Sequence, residues 1–290
     1  MKKPLFTGVC TALVTPFLEN KVNYPMLQML LRRQMEAGIS AVVVAGTTGE
    51  APTLSDDEKL ELIQRAKDYA GDACTIIAGT GSNSTEHAVE LSRNAEDAGA
   101  DALLVVSPYY NKATPDGLVA HYTAIAHSVR IPVILYNVPS RTGVDMPVSV
   151  YRRLSIIPNI VGVKEASTDI TKIARIRKEC PSDFFVWSGN DEQIVPAMAL
   201  GAQGVVSVLS NLCPVETKLM ADAALDGDFD TAAALQVELL QLIDLLFCEV
   251  NPIPIKEAMG LIGYDCGGCR LPLTSLTREN HKKLKEYLKK

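Results

Sequence analysis

Short apolar runs alternate with amphipathic stretches along the whole chain, at the spacing of repeated strand–helix units. Eight runs read as strands, at 8–14, 40–45, 74–79, 102–106, 132–136, 160–164, 184–188 and 204–208. They are near-continuous in Val, Ile, Leu and Ala, as in a parallel sheet buried on both faces. Helical patterns lie between them at 23–37, 56–70, 85–98, 115–128, 147–154, 169–179 and 190–200. Ser55-Asp56-Asp57-Glu58 has the form of a capping box, and Pro115 and Pro147 suit first-turn positions. Ala37-Gly38-Ile39-Ser40-Ala41-Val42-Val43, Ala98-Gly99-Ala100-Asp101-Ala102-Leu103-Leu104 and Leu200-Gly201-Ala202-Gln203-Gly204-Val205-Val206 repeat one logic. A helix ends on a left-handed glycine, a short turn follows, and a strand begins.

Alternating strands and helices imply βα units and a parallel sheet. Eight such units closed on themselves predict an α/β fold, a (β/α)8 TIM barrel. A doubly wound sheet is the alternative, but no GxGxxG follows the first strand. Helical patterns at 214–225, 228–249, 254–262 and 277–289 exceed what barrel closure needs. The barrel is assigned to residues 1–225 and a C-terminal helical extension, of a kind often used for assembly, to 226–290.

Composition narrows the setting. The 290 residues are 47% hydrophobic and 21% charged, with a net charge of −6. Basic residues are scattered, and the lysine-rich tail from His281-Lys282-Lys283 to Lys289-Lys290 reads as a solvated helix face, so no nucleic-acid partner is expected. The apolar stretch after Met1-Lys2-Lys3-Pro4 is broken by Thr7, Gly8, Thr11 and Thr15, unlike a signal peptide. No apolar run approaches the roughly 18 residues of a membrane span. Cys10, Cys74, Cys180, Cys213, Cys248, Cys266 and Cys269 are odd in number and mostly embedded in apolar runs, which suits reduced thiols in a cytoplasmic protein. Cys266-Gly267-Gly268-Cys269 has CxxC spacing, but no second CxxC exists and the next histidine is His281, so a C-terminal loop is expected rather than a metal or redox site.

One residue breaks the packing logic. Lys164 closes the run Ile160-Val161-Gly162-Val163-Lys164, which is otherwise apolar. Lysines can snorkel from strand ends to solvent. The alternative is a desolvated amine. A free lysine has a pKa near ~10.4, leaving about one amine in 2,500 neutral at pH 7, and burial can lower that pKa by roughly 3 units. The neutral amine is a nucleophile toward carbonyls.

In such a barrel the active site lies at the C-terminal strand ends. Those ends deliver Gly46-Thr47-Thr48-Gly49-Glu50, Ser107-Pro108-Tyr109-Tyr110-Asn111, Tyr136-Asn137-Val138-Pro139-Ser140-Arg141-Thr142-Gly143, Lys164-Glu165 and Ser188-Gly189-Asn190-Asp191. The glycine-flanked threonines offer hydroxyls and backbone N–H groups to a carboxylate. Tyr136 can shuttle protons beside the lysine, and Arg141 can grip a second carboxylate through two N–H groups. Glu50, Glu165 and Asp191 form a competing set, strand-end carboxylates suited to Mg²⁺.

Gly46-Thr47-Thr48-Gly49-Glu50, Tyr136-Asn137-Val138-Pro139-Ser140-Arg141-Thr142-Gly143, Gly162-Val163-Lys164-Glu165-Ala166-Ser167 and Asn251-Pro252-Ile253-Pro254-Ile255-Lys256 together resemble the dihydrodipicolinate synthase family, within the superfamily of pyruvate-dependent Schiff-base aldolases. The resemblance runs the full length in order. Within the superfamily, Thr47, Tyr110 and Arg141 match the synthases; sialic-acid lyases usually carry serine at the Thr47 position and lack the arginine. The resemblance implies condensation of pyruvate with aspartate semialdehyde through an imine on Lys164. It implies proton transfer by Tyr136, relayed through Thr47 to a Tyr110 reaching in from a neighbouring subunit. Thr48 would hold the pyruvate carboxylate, Arg141 the semialdehyde carboxylate, and Gly189 and Val206 would line the pyruvate end. The imine is the electron sink, so no metal or organic cofactor is expected, and the assembly is expected to be a homotetramer, a dimer of dimers. An aldolase acting on a sugar-derived 2-keto acid is the alternative within the superfamily, and a non-catalytic keto-acid sensor is a further one.

Lysine-inhibited members of the family carry Ser, His, His and Glu where this chain has Ala51, Asp56, Lys59 and His87, although Asn83 and Tyr109 match. Lys59 would repel a cationic effector, and no carboxylate stands at His87 to hold its amine. Weak or absent inhibition by lysine is expected.

Overall fold

The computed structural model of the chain describes residues 2–289. Eight strands, β1 (Gly8–Ala12), β2 (Ala41–Val44), β3 (Thr75–Gly79), β4 (Ala102–Val106), β5 (Val133–Asn137), β6 (Ile160–Glu165), β7 (Phe185–Ser188) and β8 (Gly204–Ser207), pair in parallel and close into one barrel. Each is followed by a helix: α1 (Tyr24–Glu36), α2 (Asp56–Ala70), α3 (Thr85–Asp97), α4 (Pro115–Ser128), α5 (Val148–Leu154), α6 (Thr171–Glu179), α7 (Ile194–Ala199) and α8 (Pro214–Leu225). The fold is the predicted (β/α)8 barrel, and α9 (Phe229–Leu246), α10 (Ile253–Leu261) and α11 (Arg278–Tyr287) follow it. Among the described residues no helix is long and apolar enough to cross a membrane.

The apolar runs serve two cores. Ala41 and Val43, Ala102 and Leu104, Ile134 and Tyr136 pack inside the barrel with Cys10, Trp187 and Val206. Their neighbours Val42, Val44, Leu103, Val105, Val133 and Leu135 pack outward in the core shared with the helices. Phe6 stacks on Trp187 with ring centroids 5.0 Å apart, and its carbonyl accepts the indole N–H at 3.2 Å.

The local signals did what their chemistry dictates. The Ser55–Glu58 capping box is formed in both directions. Gly38, Gly99 and Gly201 have φ of +78°, +91° and +94°. After each, an N–H reaches the carbonyl five residues back at 3.0 Å: Ile39 to Gln34, Ala100 to Ala95, Ala202 to Ala197. This is the Schellman arrangement, and a Cβ at the left-handed position would strain it. Three expectations need correction. Pro147 is the N-cap residue of α5 rather than a first-turn residue. The pattern at 190–200 divides into a 3₁₀ turn, Asp191–Gln193, and α7. β6 extends one residue past Lys164. A hairpin of Phe17–Leu18 with Lys21–Val22 and a helical turn at Pro139–Thr142 are too short to leave a periodic trace.

The run 160–165 hides a bulge. Val133 pairs with Ile160, but Ile134 pairs with Gly162, so Val161 is an extra residue in β6. The extra residue resets the in–out alternation beyond it. Tyr136 then lies opposite Lys164, and Asn137 opposite Glu165. Gly162 is required at the bulge, because a Cβ there would lie 2.2 Å from the Phe185 carbonyl oxygen.

The segment after the barrel is tied to the β2 loop by a buried ion pair. Lys256 Nζ donates to Glu50 Oε1 at 2.9 Å and to the Gly268 carbonyl at 2.8 Å, with both side chains almost fully buried. Glu50 Oε2 accepts the Arg270 N–H at 2.9 Å. Removing one partner of such a pair leaves an uncompensated buried charge. Lys256→Met is therefore expected to cost about 3–5 kcal/mol in urea unfolding, with part recovered by adding Glu50→Gln. A loss below about 1 kcal/mol, the range of exposed pairs, would contradict this reading of the pair.

Candidate active site

Among the described residues three lysines are buried: Lys164, Lys172 and Lys256. Lys172 is paired with Asp145 and lies 3.6 Å from Glu165, and Lys256 is paired with Glu50. Among the described residues Lys164, 5% exposed, has no carboxylate partner. Its Nζ instead stands over the Tyr136 ring, 4.5 Å from the centroid. A buried amine that no carboxylate engages is free to meet a carbonyl carbon as a nucleophile.

The β5–β6 pair holds this contact from behind. On the outer face, Glu165 accepts from Asn137 Nδ2 at 2.8 Å, Tyr151 Oη at 2.9 Å and the Ser167 N–H at 2.9 Å. Asn137 also donates to Asp145 at 2.8 Å and accepts the Met146 N–H at 3.0 Å, which pins both ends of the loop carrying Arg141. Burial, then the neighbouring Glu165 charge, pushes the Tyr151 phenol well above its usual range, so it stays protonated and donates. The outward pair fixes register, and register fixes the inward pair.

Gly189, at the end of β7, faces the lysine stem. A Cβ there would lie 2.9 Å from Lys164 Cε and 2.6 Å from Ala166 Cβ. Val206 is buried on β8 inside the barrel. Thr47, Tyr136 and Arg141 line a common cavity of about 410 Å³. Thr48 is buried beside it, and its hydroxyl accepts from Asn251 Nδ2 at 3.0 Å. Arg141 Nη2 donates to the Asn251 carbonyl at 3.2 Å. The β2 loop that carries the threonines is bracketed by Ala45 (φ +50°) and Glu50 (φ +58°), left-handed residues without a glycine's freedom. Tyr110, also left-handed at φ +70°, is 87% exposed and outside the cavity, so no relay from Thr47 to Tyr110 forms within one chain.

Glu50, Glu165 and Asp191, weighed in the sequence as metal ligands, do not converge. Glu50 is engaged by Lys256 and Arg270, Glu165 by Asn137 and Tyr151, and Asp191 by the Val208 and Leu209 N–H groups at 2.9 Å. The far wall of the cavity holds Ala51, Lys59 and His87. Asp56 joins the last two, with Oδ2 2.8 Å from His87 Nε2 and Oδ1 3.0 Å from Lys59 Nζ. His87 foremost, and Lys59, hold its carboxyl below the usual range. Burial pushes the Cys266 and Cys269 thiols up to about 12, far from thiolate reactivity.

Two further contributors were given no such role by the sequence: Asn251, which opens one of the family motifs, and Glu165, which stood there only as a metal-ligand candidate. Asn251 meets Thr48 across 203 positions, and nothing local signals that contact. Asn137 and Glu165 follow Tyr136 and Lys164 directly, and the strand period places them on the opposite face.

Residues 5–290 match the dihydrodipicolinate synthetase family, and the chain belongs to that family. It is 48% identical to a 4-hydroxy-tetrahydrodipicolinate synthase of Acetivibrio thermocellus, over 100% of this chain and 98% of that protein. Its structure is similar to that of dihydrodipicolinate synthase from Aquifex aeolicus, with a TM-score of 0.96 and 44% identity over 98% of this chain and 97% of that one. It is also similar to a chloride-inhibited dihydrodipicolinate synthase from Acinetobacter baumannii complexed with pyruvate, with a TM-score of 0.95 and 43% identity over 98% of each chain.

The contact between Gly189 and the lysine stem gives a direct test. Gly189→Ala must displace Lys164, and if that amine is the reacting group, misplacing it by about 1 Å would cost on the order of 100-fold. The variant is expected to fold normally by circular dichroism and to form its pyruvate adduct at least about tenfold more slowly. An unchanged rate would show that Lys164 has room to spare.

Proposed function

We propose that the chain condenses pyruvate with L-aspartate 4-semialdehyde through a Schiff base on Lys164, giving 4-hydroxy-tetrahydrodipicolinate, the first committed step of lysine and diaminopimelate biosynthesis. The observation that carries this reading is the lone buried amine over Tyr136, beside a cavity that also holds Thr47 and Arg141. Lys164 attacks the keto carbon and water leaves as the imine forms. Loss of a methyl proton gives the enamine, which adds to the aldehyde and makes the new carbon–carbon bond. The semialdehyde's own amine then attacks the imine carbon, closes the ring and releases Lys164. The net reaction joins the two substrates with loss of one water.

In this scheme Tyr136 moves the protons of imine formation and ring closure. Thr48 holds the pyruvate carboxylate and Arg141 that of the semialdehyde, while Gly189 and Val206 shape the pyruvate end. Tyr110, exposed at the rim, acts in a neighbouring subunit through Thr47, which calls for a dimer, and two such dimers make up the homotetramer. All seven cysteines are unpaired, in keeping with a cytoplasmic setting.

Two measurements test this. Purified protein supplied with both substrates should consume them in equal amounts. Arg141→Ala should raise the semialdehyde KM about 10- to 100-fold, the effect of losing charge-assisted hydrogen bonds, with little change for pyruvate. An aldolase of sugar-derived 2-keto acids would instead cleave its substrate without needing Arg141. The Lys59–Asp56–His87 cluster adds a second expectation: L-lysine should not inhibit strongly at sub-millimolar concentration. Strong inhibition in that range would overturn it.

A further inference from the structure

We propose that Asn251, on the segment following the barrel, is the positioning residue that turns the Thr48 hydroxyl toward the first substrate. This rests on the assignment of Thr48 to the pyruvate carboxylate.

A hydroxyl has one proton to donate and two lone pairs to accept with. Asn251 Nδ2 donates to Thr48 Oγ1 at 3.0 Å, which occupies an accepting side and leaves the Thr48 proton for another acceptor. An anionic carboxylate is the acceptor that gains most from it. Asn251 is only 6% exposed, so water does not compete freely for this bond. Its Oδ1 is buried without a partner among the described residues, so the amide group of the side chain is committed to Thr48.

The same residue's backbone carbonyl accepts Arg141 Nη2 at 3.2 Å. One residue therefore touches both carboxylate-binding groups, through separate atoms. The segment is anchored five residues on by the Lys256–Glu50 pair, on the loop that carries Thr48. Loop 46–50 and segment 251–256 are thus joined at two points, Thr48 to Asn251 and Glu50 to Lys256.

The separation of side chain from backbone makes the inference testable. Asn251→Ala deletes the bond to Thr48 and keeps the carbonyl that holds Arg141. Borohydride trapping at graded pyruvate concentrations reads the pyruvate half-saturation without the second substrate. Asn251→Ala is expected to raise it on the order of fivefold, the worth of one neutral hydrogen bond, and to leave the semialdehyde KM within about twofold. Asn251→Asp keeps the shape but offers an acceptor that captures the Thr48 proton, and should raise it roughly tenfold or more. A packing role predicts the reverse order, with the isosteric variant the milder. Thr48→Val should raise the half-saturation by itself, and adding Asn251→Ala to it should cause no further change. If Asn251→Ala does not fold, the Asp variant reads the same contact. An unchanged or lowered half-saturation in a folded Asn251 variant, while Thr48→Val raises it, overturns the role of Asn251. If Thr48→Val itself changes nothing, the Thr48 assignment fails and takes this inference with it.

Discussion

Taking a lysine out of water is costly unless a counter-charge comes with it. Among the described residues, buried Lys172 and Lys256 meet that cost with carboxylates, and Lys164 does not. Its nitrogen rests on a phenol ring, and the surrounding structure is arranged to keep it there. The bulge at Val161 sets which face of β6 points inward. The Glu165–Asn137 pair locks the two strands from the outer face. Gly189 leaves the space the lysine stem fills. Each feature is explicable by packing or pairing alone; together they hold one amine beside one cavity.

The segment beyond the barrel is a working part of that arrangement. It supplies Lys256 to neutralise Glu50 and Asn251 to meet Thr48 and Arg141. Barrel enzymes gather residues from distant strands at one rim. Here a chain segment outside the barrel adds a rung to the same rim and links the proposed binding points for the two substrates. The strained left-handed residues Ala45, Glu50 and Tyr110 all lie in strand-end loops, where backbone strain is held by surrounding contacts.

Much of this was legible in the sequence because it is local. Strand runs, capping boxes and C-terminal glycines are written in neighbouring residues, and the eight units and most of their limits follow from them. Lys164 stood out as a cation closing an apolar run. What stayed hidden depends on pairs far apart or on register. The run 160–164 looks like a plain strand, and its bulge shows only against β5. Asn251 and Thr48 are joined by the fold alone, and the exposed Tyr110 meets its proposed partners only in an assembly. The metal reading of Glu50, Glu165 and Asp191 failed for a related reason: strand-end position brings carboxylates to one rim without aiming them at one point.

All of the proposed chemistry requires that one buried amine, and no other, forms the covalent link to the keto acid. Reduction with borohydride in the presence of pyruvate, followed by peptide mass spectrometry, measures this directly. One reduced pyruvate per chain is expected on the peptide carrying Lys164, and none in a folded Lys164→Ala variant. An adduct on Lys172 or Lys256, or a folded protein that traps none, would contradict the assignment.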